Sequence, residues 1–94
     1  MAGVAAGYRL TYGTATLDGS NPTAVATGLT HVMGAVVTQK KATSPGDDPI
    51  IFTVDYSGVD GTLNIYAWKT DGTDPTLVAS TNNSATVDWV AFGI

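Results

Sequence analysis

Apolar and small polar residues alternate along the chain from Tyr8 to the C-terminus, in short runs that end at Gly, Pro, Asn or Asp. A period of two is typical of a β-strand with two different faces, and no segment shows the period of an amphipathic helix. The runs cover residues 8–17, 23–29, 31–40, 50–56, 62–69, 76–80 and 85–94. Since the second run is mild and the sixth is short, the pattern predicts about six strands.

The segments between the runs predict turns and surface loops. Residues 18–22 read Asp-Gly-Ser-Asn-Pro, and residues 57–61 and 70–75 each contain an Asp-Gly pair. Such pairs favour tight turns, because Gly tolerates a positive φ and the Asp side chain can bond to the backbone nearby. Residues 41–49 contain two prolines and a glycine. We expect them to form the longest surface loop.

The alternation also predicts which residues share a face. In the run 62–69 one face carries Leu63, Ile65 and Ala67, and the other carries Asn64, Tyr66 and Trp68. In the last run Val87, Trp89, Ala91 and Gly93 face one way, and Thr86, Asp88, Val90 and Phe92 face the other. We expect Trp89 to be buried. In the run 31–40 both faces are apolar enough that we expect both to be largely buried.

Strands with turn signals at intervals of about ten residues predict an all-β fold, an antiparallel β-sandwich or small barrel of about six strands. The 94 residues leave room for one domain, which we place at residues 8–94. Residues 1–7 show no strand alternation and are either a frayed terminus or an N-terminal arm that a partner orders. We favour a docking arm, whose contact residues would be Ala2, Gly3, Val4, Ala5, Ala6 and Gly7.

Length and charge restrict the partners. A chain this short buries only about 60–65% of the surface that its unfolded form exposes, and no cysteine is present to cross-link it. Burial against copies of itself or a larger scaffold is therefore the expected route to high stability. The formal net charge of −4 is opposite to that of a nucleic-acid binder. No apolar stretch reaches the ~18 residues of a membrane span and the start lacks a signal pattern, so we expect an unexported chain with no nucleic-acid or membrane partner.

Residues that could carry chemistry are few. His31 is the only histidine and thus the only candidate base for a serine nucleophile, but its place at the start of a strand favours an ordinary edge residue. The loop from Asp71 to Asp74 resembles half of a calcium site, although the acidic residues needed to complete it are missing nearby. Turn propensity explains six of the aspartates, namely Asp18, Asp47, Asp48, Asp60, Asp71 and Asp74. We expect no enzyme activity, no metal and no cofactor.

Four residues within the predicted strands need a further reason. Asp55 and Asp88 lie where aspartate is disfavoured, so each is either exposed to solvent or part of a salt bridge across a subunit contact. Tyr66 and Trp68 share a strand face. They either pack in the core or a subunit interface, or form a platform that stacks on a sugar ring.

The last strands resemble part of a known family. Residues 64–69 (Asn-Ile-Tyr-Ala-Trp-Lys), followed after a loop by residues 87–93 (Val-Asp-Trp-Val-Ala-Phe-Gly), are similar to the closing pattern of H-type lectin domains. That family ends in a hydrophobic strand with a tryptophan and then a Val-x-Trp-x-Ala-x-Gly strand. The resemblance implies a six-stranded antiparallel sandwich that forms trimers.

The whole chain also resembles small virion proteins of tailed bacteriophages, which are rich in Gly, Thr and Ala and free of cysteine. The similar segments are Gly13–Leu17 (Gly-Thr-Ala-Thr-Leu) and Tyr66–Lys69 (Tyr-Ala-Trp-Lys). In such phages, lectin-like trimers serve as capsid decoration (cement) proteins or as knobs of head or tail fibres. The length of the chain leaves no shaft-forming or attachment segment, which favours decoration.

This second resemblance implies a homotrimer that binds the major capsid protein and stabilises the capsid. Its place would be the outer capsid surface of the virion, assembled in the host cytoplasm. Residues 2–7 would then dock on the capsid. The alternative is a lectin-like knob that binds host-surface glycan through Tyr66 and Trp68.

Overall fold

The computed structural model of the protein describes residues 7–46, 48–57, 61–73 and 76–94. Within these ranges every regular element is a β-strand, so the predicted all-β class is confirmed. The short run at 76–80 forms a strand of its own, which brings the number to seven. The strands are β1 (Arg9–Thr16), β2 (Thr23–Ala26), β3 (Val32–Gln39), β4 (Ile51–Asp55), β5 (Thr62–Thr70), β6 (Leu77–Ala79) and β7 (Thr86–Gly93).

The strands form two antiparallel sheets that make up a small β-sandwich. In the first, sheet A, the C-terminal strand β7 lies between β1 and β3. In the second, sheet B, β5 is central, with β4 along one side and both β2 and β6 along the other. The central strands, β7 in sheet A and β5 in sheet B, are therefore hydrogen-bonded to neighbouring strands along both of their edges.

The core lies between the inner faces of β5 and β7. Leu63 and Ile65 of β5 and Val87 of β7 are fully buried. Trp89 is 7% exposed, which confirms its predicted burial. The buried hydrophobic residues are Leu17, Leu29, Val32, Leu63, Ile65, Ala67, Val87, Trp89 and Ala91. Most of them are small or medium in size, so the core is thin, as the chain length led us to expect.

Strand β3 departs from the predicted pattern. Its pairing with β7 shifts between Val32 and Gly34, where a β-bulge adds one residue. Because the extra residue reverses the sense of the alternation, Val32 faces inward before the bulge and Val37 packs against the core after it. Val36 is left 68% exposed on the outer face. The expectation that both faces of residues 31–40 are largely buried is therefore wrong.

The end of the predicted long loop is tied to the connection between β6 and β7. Residues 41–46 are exposed, whereas Pro49 is buried. The Ser80 hydroxyl donates to the Asp48 carboxylate at 2.5 Å, and the Asn82 side-chain amide donates to the Asp48 carbonyl at 3.3 Å. A surface loop over residues 41–46 thus agrees with the expectation, but residues 48 and 49 are anchored.

Candidate binding surfaces

The outer face of sheet A carries a continuous apolar area. The strand register places Tyr12, Val90 and Val36 in one row across β1, β7 and β3, and Leu10 and Phe92 in the next. These five residues, here called the apolar patch, are exposed by 65% (Leu10), 77% (Tyr12), 68% (Val36), 40% (Val90) and 44% (Phe92). Large apolar areas left open on a small protein mark binding surfaces.

Gly34 keeps the patch continuous from β7 to β3. It lies opposite Phe92 in the register, and a Cβ atom placed on Gly34 would overlap the Phe92 ring. The ring therefore lies across the glycine and covers the neighbouring strand. As a result, the apolar surface crosses all three strands of the sheet without a polar gap.

The two ends of this face differ in polarity. Tyr8 and Ile94 continue the alternation beyond the strands and are 41% and 47% exposed, which extends the apolar end. At the other end Thr14, Asp88 and Thr38 form a polar row, in which the Thr14 hydroxyl donates to the Asp88 carboxylate at 2.7 Å. Within the three strands Asp88 carries the only charge on this face.

The outer face of sheet B carries an aromatic pair, Tyr66 and Trp68. Their rings are nearly parallel, at an angle of 11° with centroids 6.3 Å apart, and both side chains are half-buried. The Trp68 indole N–H donates to the Thr53 hydroxyl at 2.8 Å, which fixes the ring orientation. Since the core face of β5 is taken by Leu63, Ile65 and Ala67, core packing of the pair is excluded. Interface packing and sugar stacking both stay open.

Polar groups lie beside the aromatic pair. Asp55 lies opposite Asn64, one row from Tyr66, and ends β4. The backbone N–H of Ser57 donates to the Asp55 carboxylate at 3.0 Å and the Ser57 hydroxyl at 2.7 Å. These bonds, the backbone one first, lower the pKa of Asp55 below its ordinary value. The aspartate at this strand end is thus explained by the turn that it stabilises.

An open groove of about 380 Å³ lies where β3 of sheet A approaches β4 of sheet B. The loop after β3 covers one side of it, with Lys41 and Pro45 in the lining, and Phe52 of β4 lines the other. The Gln39 side-chain oxygen is buried in the same region with no hydrogen-bond partner among the described residues. The sequence offered no signal for this groove, because it forms between two sheet edges.

The residues considered for catalysis and metal binding are dispersed. His31 is exposed just before β3, and its backbone N–H and carbonyl both bond to Ile94. Asp18 accepts the Ser20 backbone N–H and the Thr23 hydroxyl, which lower its pKa and close the turn after β1. Asp71 is exposed in the segment after β5, and Asp74, the other end of the candidate calcium loop, lies outside the described residues. No cluster of three or more metal-ligating side chains occurs among the residues that the structure describes.

The predicted docking arm falls almost entirely outside the described residues, which is where Ala2, Gly3, Val4, Ala5 and Ala6 lie. Gly7 is described. It is exposed, and a Cβ atom there would meet nothing within 4 Å. The docking role of residues 2–7 stays a prediction.

No protein-family model, curated protein or solved structure matches the chain. The likeness to H-type lectins and to phage virion proteins therefore depends on the segments quoted above. Across the described ranges, no helix is long and apolar enough to cross a membrane.

Proposed function

We propose that the chain is a non-enzymatic structural protein of a virus particle, a capsid decoration (cement) protein that binds the outer capsid as a homotrimer and stabilises it. The observation that carries the proposal is the apolar patch, which offers a protein-binding surface on a chain too small to bury much of its own surface. The viral setting is supported by the likeness of residues 13–17 and 66–69 to phage virion segments.

In this mechanism no residue performs chemistry. Trimers bind where coat subunits meet, and the added contacts stabilise the assembled shell, because a ligand that binds only the assembled state shifts the equilibrium toward it. The formal net charge of −4 keeps the free protein soluble before it docks. The contact with the major capsid protein is distributed over apolar and hydrogen-bonded groups across the interface.

Quantitative mass spectrometry of particles purified from the virus that encodes the chain tests this function. A decoration protein occupies many equivalent positions, so we expect on the order of hundreds of copies per particle. A copy number of a few to a few tens would instead indicate a fibre or knob. Absence of the chain from purified particles would contradict both assignments.

A second candidate function is glycan binding by the aromatic pair. It is favoured by the nearly parallel, half-buried rings of Tyr66 and Trp68, with the Thr53 hydroxyl and the Asn64 amide on the same outer face. Flat aromatic side chains with polar neighbours can stack on sugar rings while their neighbours bond to hydroxyl groups.

A printed array of bacterial surface polysaccharides tests this alternative directly. Trp68→Ala should abolish any binding, whereas Tyr56→Ala, at an exposed aromatic residue beyond β4, should leave it unchanged. Equal binding by both variants would exclude the pair as the glycan site.

A further inference from the structure

We propose that the apolar patch is the surface through which copies of this chain associate, so that the patch of each copy faces the threefold axis of the trimer and is covered by the neighbouring copies. The inference rests on the proposed function, which needs one contact between copies and another with the capsid. It assigns the outer face of sheet A to the contact between copies. The contact with the capsid is then made by another part of the surface.

The area of the patch fits this role. An aromatic side chain presents about 150–250 Å² when fully open, and an aliphatic side chain presents less. The five patch residues, together with Tyr8 and Ile94, are 40% to 77% exposed, so they present on the order of 600 Å². A standard interface buries about 800 Å² on each partner, of which about 65% is apolar when identical chains meet. The patch and its flanking residues supply that apolar share.

The charge distribution also favours a second copy. The chain carries a formal net charge of −4, so copies repel one another unless they meet where no carboxylate lies. The patch contains no charged side chain, and the only acidic side chain that the three strands present on this face, Asp88, lies in the polar row at one end. Depletion of charge from the centre, with polar groups at the rim, is typical of protein–protein interfaces, including those between identical chains.

The free state of the protein supports the same choice. A face that bound only the capsid would remain open to water in every copy not yet docked. Three adjoining strands would then expose two apolar rows, which promotes association in any case. Association of copies through the patch removes this surface from water as soon as the chain folds.

Charge substitutions test the contact. In Val36→Asp and Leu10→Asp a carboxylate enters the patch on either edge strand, at side chains that are 68% and 65% exposed in the single chain. The fold should therefore tolerate both changes. Ile51→Asp is the matched control, because it adds the same charge at a 46% exposed strand residue of sheet B.

Sedimentation equilibrium should give the unmodified protein a mass near three times 9.6 kDa, and the same mass for Ile51→Asp. Val36→Asp and Leu10→Asp should sediment as single chains with an unchanged circular dichroism spectrum. The proposal is overturned if both variants, folded, keep the mass of the unmodified protein. It is also overturned if the unmodified protein is itself a single chain.

Thiol labelling gives a second test, which measures how well the patch is protected while the copies remain associated. The chain contains no cysteine, so Tyr12→Cys and Ile51→Cys each carry one reactive thiol. Tyr12 is 77% exposed in the single chain, and only a partner can protect it. We expect the thiol at residue 12 to react at least tenfold more slowly than the thiol at residue 51. When Val36→Asp is added to each cysteine variant, the two labelling rates should become similar. Equal rates in the two single variants would overturn the proposal.

The copy number on particles separates this inference from the proposed function. A chain abundant on particles but single in solution would overturn the copy contact and leave decoration intact. If the chain is absent from particles but its copies still associate through the patch, decoration is overturned and the contact between copies is kept.

Discussion

At the scale of single residues, two positions in β7, Trp89 and Gly93, are tightly packed against neighbouring residues. Trp89 is the largest side chain in the core, and it lies against Gly13 of β1, where a Cβ atom would come within 3.0 Å of the indole. Gly93 lies against the backbone of β3 near the bulge. Each position therefore accepts only the residue that its neighbours leave room for.

Trp89→Ala should lower the free energy of unfolding by roughly 3–5 kcal/mol, since it removes a buried aromatic side chain and leaves a cavity. Urea unfolding followed by far-ultraviolet circular dichroism measures the change. Trp68→Ala is the control, because Trp68 lies outside the core and is only half-buried, so that its removal should cost less. Equal losses in the two variants would contradict the placement of Trp89 in the core.

Gly93→Ala should destabilise the protein by about 1–3 kcal/mol or more, the cost of forcing an extra methyl group into a packed site. A Cβ at this position would overlap the His31 carbonyl oxygen, which belongs to the backbone and cannot rotate away. In Gly34→Ala the new methyl meets the Phe92 ring instead, a 44% exposed side chain that can move. Thermal unfolding should therefore show a larger loss for residue 93. The reverse order would contradict this packing.

At the scale of elements, carboxylates close the turns that end the strands. Asp18 and Asp55 each accept the backbone N–H of the residue two positions later, Ser20 and Ser57. Both bonds favour the charged carboxylate, so the pKa of each group lies below the ordinary value of 3.8. The turns after β1 and β4 are therefore coupled to pH.

A lowered folded-state pKa means that the stabilisation is present above pH 3.8 and is lost as the pH falls through the lowered value. We expect the free energy of unfolding to decrease as the pH is lowered below about 4. The double variant Asp18→Asn, Asp55→Asn should show a shallower decrease, because an amide does not titrate. Urea unfolding across this pH range measures both slopes. Identical slopes would mean that these turns do not contribute.

The N-terminal arm gives a prediction at the same scale. Deletion of residues 2–7 should leave the thermal midpoint of the protein nearly unchanged, because the β1 ladder begins at Arg9, which pairs with Gly93. Binding to capsids that lack the protein should weaken, because the deletion removes the contacts between the arm and the capsid, which in the full chain outweigh the cost of about 1–2 kcal/mol for ordering each residue. Co-sedimentation of the full and shortened chains with such capsids measures the difference. Equal binding would place the capsid contact on the sandwich, with residues 40–49 as the next candidate.

At the scale of the whole molecule, the core is thin and several of the larger apolar residues lie on the exposed outer face of sheet A. The largest fully buried side chains are of medium size, among them Leu63, Ile65 and Val87. Larger apolar residues such as Tyr12 and Phe92 remain on the outside. The single chain thus leaves several large apolar side chains exposed on its surface.

The thermal midpoint should therefore rise with protein concentration, since association stabilises only the folded chain. Calorimetry between about 1 and 100 µM measures the shift by mass action. Val36→Asp, which we expect to be monomeric, should show no such dependence. A concentration-independent, cooperative transition in the unmodified protein would remove the support for a stable oligomer.

The sequence by itself determined the strands and most of their faces. A period of two is a local property, so the alternation correctly placed Leu63, Ile65 and Ala67 on one face of β5, and Val87, Trp89 and Ala91 on one face of β7. It also showed that Tyr66 and Trp68 share a face. It did not reveal that this face is the outer one, because either face of a two-sided strand can meet the core.

Only the tertiary structure decided which strands are neighbours. Tyr12, Val36 and Val90 are distant in sequence and meet because β7 lies between β1 and β3. Strand order depends on long-range backbone pairing, which no local period encodes. The bulge at Val32 and Gly34 likewise reversed the alternation within β3 and turned Val36 outward. The apolar patch is therefore a product of strand order and register, although every residue in it was visible as part of a strand.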